Sequence, residues 1–320
     1  ARSQLMVLVI LGPADWLTFP AQILRSLTGG AVHHDGTGEL TAFRQRLAWY
    51  PRDVWLYLLA SGWQRIGQEE HLMPRAGHAG DELGSAVIGA RLARDVMSLC
   101  FLMESVYAPY PKWWGQAFGQ LSCAAELGPV LWQAMQAPTW PAREAALVEA
   151  YEYLARWHNR LGITEPLEER ATGFYARPFR VIHGDRFAEA IRRRITDPAV
   201  QEIADRGLIG SIDQLSDSTD VRSHGRWRSR LVALYAGEGK HPYRRTGEPM
   251  AMQPEKRFEV VVEEGVPRGD LYELEQVTYY RVIDRASGQA VLSFEGRLEA
   301  ALSRDTGQWE NSHTSGVRSV

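Results

Sequence analysis

The chain has 320 residues, 36 Lys and Arg against 39 Asp and Glu, a formal net charge of −3 at pH 7 and two cysteines. That length supports a sizeable core and is read as two domains, while the balanced charge excludes an extensive surface for nucleic acid or anionic membrane. A small-molecule substrate is expected from that charge balance, and Cys100 and Cys123, which make neither a disulfide framework nor a zinc spacing, fit a reducing cytoplasm.

Leu5 to Leu11 is apolar but far shorter than the ~20 residues of a membrane helix, and no basic segment with a cleavage site makes it a signal peptide. It reads as a buried strand. Because the chain opens directly in such core-like sequence, residues 1–14 are assigned to a residual strand of an upstream domain. A helix opens at Asp15 or Trp16, followed by TGGAVHHDG (Thr28 to Gly36), whose glycines mark a loop. His33 and His34 would face opposite ways on a strand, which disfavours a shared metal.

From Pro51 a helix of roughly twenty residues is predicted to run to about Met73, with Pro51 at its first position and Asp53 in its first turn. Within RIGQEE (Arg65 to Glu70), Arg65, Gln68 and Glu69 share one face, as a solvated pair or as part of a site. A second helix, about Glu82 to Val106, is apolar around most of its circumference (Val87, Ile88, Leu92, Val96, Met97, Leu99) and belongs at the centre of a bundle. It carries Arg91, Asp95 and Ser98 on one stripe with Arg94 beside them. Ions buried there need partners. Two readings are open: an Arg–Asp clamp between helices, or Arg91 or Arg94 pointing at phosphate or carboxylate.

YAPYPKWWG (Tyr107 to Gly115) delivers Lys112 among aromatic rings, as a cation–π contact or as an anion-binding charge at a pocket rim. Helices at about Trp114 to Gln120, Gly128 to Gln136 and Pro141 to Leu161 read as scaffold. Phe179 to Ile182 is a short apolar run that breaks at HGD and leads into an amphipathic helix. His183, Asp185 and Arg186 are candidates to line a site, with Asp185 favoured as a helix N-cap. Arg192 to Arg194 read as a solvated face. GLIGSIDQLSDSTD (Gly207 to Asp220) is loop-like; Asp213 and Asp217 suit a ligand hydroxyl or Mg²⁺, though turn chemistry is favoured.

Residues 236–257, rich in Gly, Pro and charge, read as a linker. Residues 258–320 alternate like β-structure at Phe258 to Glu263, Gln276 to Ile283 and Ala290 to Phe294. They are assigned to a small β-rich module, with Glu263, Glu264, Asp270, Glu273 and Glu275 as a solvating acidic edge. The fold class is therefore mainly α, a helical domain over 15–235 with a smaller β-rich C-terminal module.

Residues from about Asp15 to Ser223 resemble nucleotidyltransferase-like proteins of the domain of unknown function 4037, in their later part. The resemblance rests on ADWLTFP (Ala14 to Pro20), HDGTGEL (His34 to Leu40), LAWYPRDVWLYLLA (Leu47 to Ala60), RIGQEE, ARLARDVMSLCFLME, YAPYPKWWG, TEPLEER (Thr164 to Arg170) and GLIGSIDQLSDSTDV. It implies a helical bundle packed behind a nucleotidyltransferase sheet whose Gly-Ser turn and paired aspartates hold Mg²⁺ for nucleotidyl transfer. No such turn and carboxylate strand precedes residue 15, so the remaining groups are expected to bind and position rather than catalyse.

On that reading the chain supplies a nucleotide- or acceptor-binding domain, with Mg²⁺ and a nucleoside triphosphate as the implied cofactors. Lys112 and Arg91 would meet phosphate, Arg65 with Glu69 would orient, Asp213 with Asp217 would contact a hydroxyl or metal, and Arg94, Asp95, His183 and Asp185 complete the candidate set. The alternative is a non-catalytic binding or assembly protein whose ion pairs hold the bundle and whose β module recruits a protein partner.

Overall fold

The computed structural model describes residues 11–223 and 225–236, and the backbone of five strands between 258 and 316. The helices lie in a compact unit within Ile10–Tyr243, and the five strands lie in a second unit within Arg244–Val320. The strand expected at Leu5–Leu11 falls, Leu11 apart, outside the described residues, as does the expected linker beyond Ala236.

The chain is mainly helical. In order, the helices are α1 (Pro13–Thr18), α2 (Ala21–Thr28), α3 (Glu39–Arg46), α4 (Arg52–Glu69), α5 (Leu72–His78), α6 (Glu82–Met103), α7 (Trp114–Phe118), α8 (Ala124–Gln136) and α9 (Trp140–Leu161). A short hairpin of β1 (Thr172–Gly173) and β2 (Arg180–Val181) then leads into α10 (Gly184–Arg192), α11 (Pro198–Arg206), α12 (Ile212–Leu215), α13 (Thr219–Ser223) and α14 (Arg228–Tyr235).

Helix α4 is the axis of this unit. Leu56, Tyr57, Leu58, Leu59, Ala60, Trp63 and Ile66 are all buried, a run with no free face because α1, α6, α10 and α11 each pack on a side of it. The helix does not continue to Met73. It stops at Glu69, turns through Glu70 and His71, and restarts as α5. Pro74 accounts for the break, since its ring would collide with the Glu70 carbonyl and it has no N–H to give that carbonyl.

Helix α6 also departs from expectation. Its second half is core, with Leu92, Val96, Leu99, Cys100 and Phe101 buried, but Leu83 and Val87 are 78% and 56% exposed. The first turns are covered on one side only, where Gly89 lets the aliphatic stem of Arg143 from α9 lie against the backbone. Arg143 is thereby buried, and it bonds to Ser85 Oγ at 2.8 Å, the Ala137 carbonyl at 2.9 Å and Glu82 at 3.3 Å.

The segment expected to be a loop at Gly207–Asp220 contains α12 and the start of α13. Ser211 and Gln214 form a capping box on α12, so part of the polar sequence that reads as loop serves a helix start instead.

In the second unit, β3 (Phe258–Glu264), β4 (Glu273–Asp284), β5 (Ala290–Leu302) and β6 (Trp309–Ser312) pair antiparallel in chain order, and β7 (Ser315–Gly316) also pairs with β5. The register shifts between Val282 and Ile283. The expected acidic edge lies outside the described side chains.

Candidate functional site

The sequence-derived candidates separate into a charged face and a cavity. On the charged face, Arg65 of α4 binds Asp95 of α6 through Nε to Oδ1 at 3.1 Å and Nη2 to Oδ2 at 3.4 Å. One turn further along, Arg91 of α6 donates back to Glu69 Oε1 at 2.5 Å. Arg94 pairs with Asp217 and lies 5.7 Å from the centroid of the Trp114 ring. Arg65 and Glu69 share a helix face as expected, yet each reaches across to α6 rather than to the other.

Burial raises the Asp95 carboxyl above the usual range, with Arg65 opposing. Burial also works against charge on Arg65, but Asp95 outweighs it and holds the guanidinium above its ordinary value. Glu69 Oε2 is buried without a hydrogen-bond partner.

Asp213 and Lys112 stand apart from this ladder. Asp213, its side chain 16% exposed, accepts the Ala21 N–H at 2.6 Å and binds Arg222 Nε at 3.0 Å, tying α12 to the start of α2 and to α13. Burial raises its carboxyl. Lys112 is exposed with its ammonium 4.9 Å from the centroid of the Trp113 ring, and among the described residues it forms no ion pair.

These positions do not fit a Mg²⁺ site. Both Asp213 oxygens are engaged, Asp217 is held by Arg94, and among the described residues no group of three or more His, Cys, Asp or Glu is arranged as metal ligands.

The cavity occupies about 450 Å³ between the end of α4, the β1–β2 hairpin and the start of α10. Two glycines set its geometry. A Cβ on Gly67 would stand 2.6 Å from the Asp185 nitrogen, and one on Gly184 would stand 2.5 Å from the Trp63 carbonyl oxygen, so α4 and α10 meet backbone to backbone. Trp63 and Phe187 stack beside this crossing, 4.2 Å between centroids and 16° between planes.

At the floor, the buried Glu70 carboxylate accepts the Ile182 N–H at 2.5 Å and the Gly184 N–H at 3.0 Å. Burial pushes this carboxyl up to about 7, against the pull of those amides and with Asp185 adding to the rise.

His183 lies on the α10 side, in a left-handed backbone conformation (φ 59°, ψ 60°), with Nε2 3.0 Å from Thr172 Oγ1. His183, rather than Asp185, is the N-cap residue of α10; Asp185 sits in the first turn and faces the cavity. This corrects the expected cap. The hairpin side is aromatic: the His71 ring stacks on Phe174 at 4.8 Å, and Tyr175 packs edge-on to Phe174 at 4.9 Å. Burial lowers both imidazoles, with Arg75 adding to the effect at His71 and Arg186 at His183.

The cavity thus unites His183 and Asp185 with residues that the sequence did not single out: Glu70, His71, Gln64, Phe174 and Tyr175. Glu70 was visible within RIGQEE, since neighbours on a helix are turned by about 100° and Glu70 could not share the Glu69 face. Nothing in the local sequence signals Phe174 or Tyr175. Chemically, the site offers a protonatable carboxyl near neutrality, two imidazoles, amides and open ring faces, which suits holding a small polar ligand and exchanging a proton with it.

Residues 16–114 match the family model described as Domain of unknown function (DUF4037). The matched segment runs from α1 to the start of α7 and includes the charged faces of α4 and α6 together with Glu70 and His71. No curated protein and no solved structure matches the chain significantly. Among the described residues, no helix is long and apolar enough to cross a membrane.

Proposed function

We propose that the helical unit is the small-molecule-binding part of a nucleotidyltransferase-like protein, and that the cavity at the end of α4 holds its nucleotide or its acceptor. The observation that carries this reading is the Glu70 carboxylate, buried at the floor of an open cavity and raised to about 7. Perturbed carboxyls of this kind gather at functional sites, because their environment disfavours the charge that water would favour. Neither Lys112 nor the half-exposed Arg91 lines the cavity, so these cations would meet phosphate only from a nucleotide bound outside it, with Mg²⁺ arriving on the nucleotide rather than on a protein site. Calorimetric titration of the full chain with each nucleoside triphosphate and Mg²⁺, using Tyr175→Ala and Lys112→Ala as controls, tests it. Saturable binding lost in Tyr175→Ala supports the cavity; binding lost only in Lys112→Ala moves the site out of the cavity to the surface around Lys112 and Trp113.

A second reading is favoured by the pairing of Arg65, Arg91 and Arg94, each with its own carboxylate. Here the charges clamp the bundle of a non-catalytic assembly protein whose C-terminal strands recruit a partner. It expects charge removal to lower the melting temperature while no nucleotide raises it.

A further inference from the structure

We infer that the cavity takes an organic cation, an ammonium or guanidinium group carried by a small acceptor molecule, rather than the phosphate chain of a nucleotide. The inference rests on the proposal that this cavity is a ligand site, and it selects between the two kinds of ligand left open there. Two observations converge on it.

The first is charge. Glu70 and Asp185 line the cavity, and no Lys or Arg does. Arg75 and Arg186 act on the two imidazoles from outside the lining, and Arg186 is already bonded to the Ile182 carbonyl at 2.9 Å. A phosphate entering here would meet carboxylates and no cationic partner. An ammonium would find the Asp185 carboxylate and the Glu70 floor.

The second is the rim. Tyr175 is 89% exposed and is held at φ 53°, a backbone conformation that a bulky residue seldom adopts. The hairpin stabilises this turn through Phe174 N–H to the Phe179 carbonyl at 2.9 Å and Arg177 N–H to the Phe174 carbonyl at 3.1 Å. The result is an aromatic rim, Tyr175 edge-on to Phe174 and Phe174 stacked on His71, beside a carboxylate-bearing wall. Aromatic faces together with a carboxylate form the cage that recognises alkylated and primary ammonium groups.

The test is calorimetric titration of the full chain with choline, its neutral isostere 3,3-dimethyl-1-butanol, spermidine and Mg²⁺-ATP, on the wild type and on Asp185→Asn, Tyr175→Ala and, as a control on the exposed face of α3, Arg46→Ala. The expected result is saturable binding of choline or spermidine, weakened about tenfold by Asp185→Asn and by Tyr175→Ala and unchanged by Arg46→Ala. If the neutral isostere or ATP binds at least as tightly as the cations and responds to Tyr175→Ala, the cation inference is overturned while the cavity stands as a ligand site. If no probe binds, or binding ignores both cavity substitutions, the inference and the cavity reading fail together. Thermal melts of each variant check that loss of binding is not loss of fold.

Discussion

Glu69 and Glu70 are neighbours in the chain, and they end in two unlike regions. Glu69 faces α6, takes the Arg91 guanidinium and belongs to a ladder in which each charge has an opposite charge. Glu70 turns the other way, takes two backbone amides rather than a cation, and lies at the floor of a cavity that opens outward. Ion pairs on a half-exposed face cancel one another and leave little to offer a ligand. A carboxyl bonded only to neutral amides keeps its charge in play, so the two regions differ in chemical readiness although both are rich in ionisable groups.

The largest effect should come from the glycine crossing that builds the cavity. Gly67→Val would press a branched side chain onto the Asp185 backbone, 2.6 Å from a Cβ, and should cost about 3 kcal/mol or more in denaturant unfolding. A loss below about 1 kcal/mol would mean that α4 and α10 separate easily and that the cavity walls are not fixed by this contact.

Next is the pH dependence of Glu70, whose neighbours are Asp185, His71, His183 and the buried Tyr151 hydroxyl. Its folded pKa, about 7, lies above its ordinary 4.5. Its contribution is therefore fully present below about 4.5 and is lost as pH rises through about 7, a change of up to ~3 kcal/mol. Chemical denaturation across that window should show this slope in the wild type and a flatter one in Glu70→Gln. Identical slopes would remove Glu70 as the source.

The charged face should respond less, and in a way that tells a clamp from a ligand site. Arg65→Met strips the buried Asp95 of its partner and should destabilise by about 2 kcal/mol, while Arg65→Met with Asp95→Leu should recover most of that. Smallest of all, Arg91→Ala should change stability by less than about 1 kcal/mol, since the Arg91 side chain is 55% exposed. A larger loss at Arg91 would make the outer rung as important as the inner one.

Much of the helical scaffold was legible because period and punctuation agree there. Pro51 opens α4, Asp81 caps α6 through the Gly84 N–H at 2.7 Å, and Gly162 closes α9 in a left-handed conformation. The break after Glu69 was hidden because α4 and α5 are both apolar, and only the steric reach of Pro74 separates them. The ion pairs were legible as charge on apolar helices, but their partners were not, because Arg65 meets Asp95 and Arg94 meets Asp217 across long stretches of chain. The cavity was the least legible part. It depends on a glycine-to-glycine crossing and on a hairpin of two-residue strands, neither of which leaves a periodic trace.

The most direct test of this contrast is a site-resolved ¹³C NMR titration of the Glu70 carboxyl carbon in the full chain, assigned with Glu70→Gln. A midpoint near 7 that moves on adding choline or spermidine is the predicted result. A midpoint near 4.5 that no added cation shifts would contradict it, leaving Glu70 an ordinary carboxylate that merely holds α10 in place.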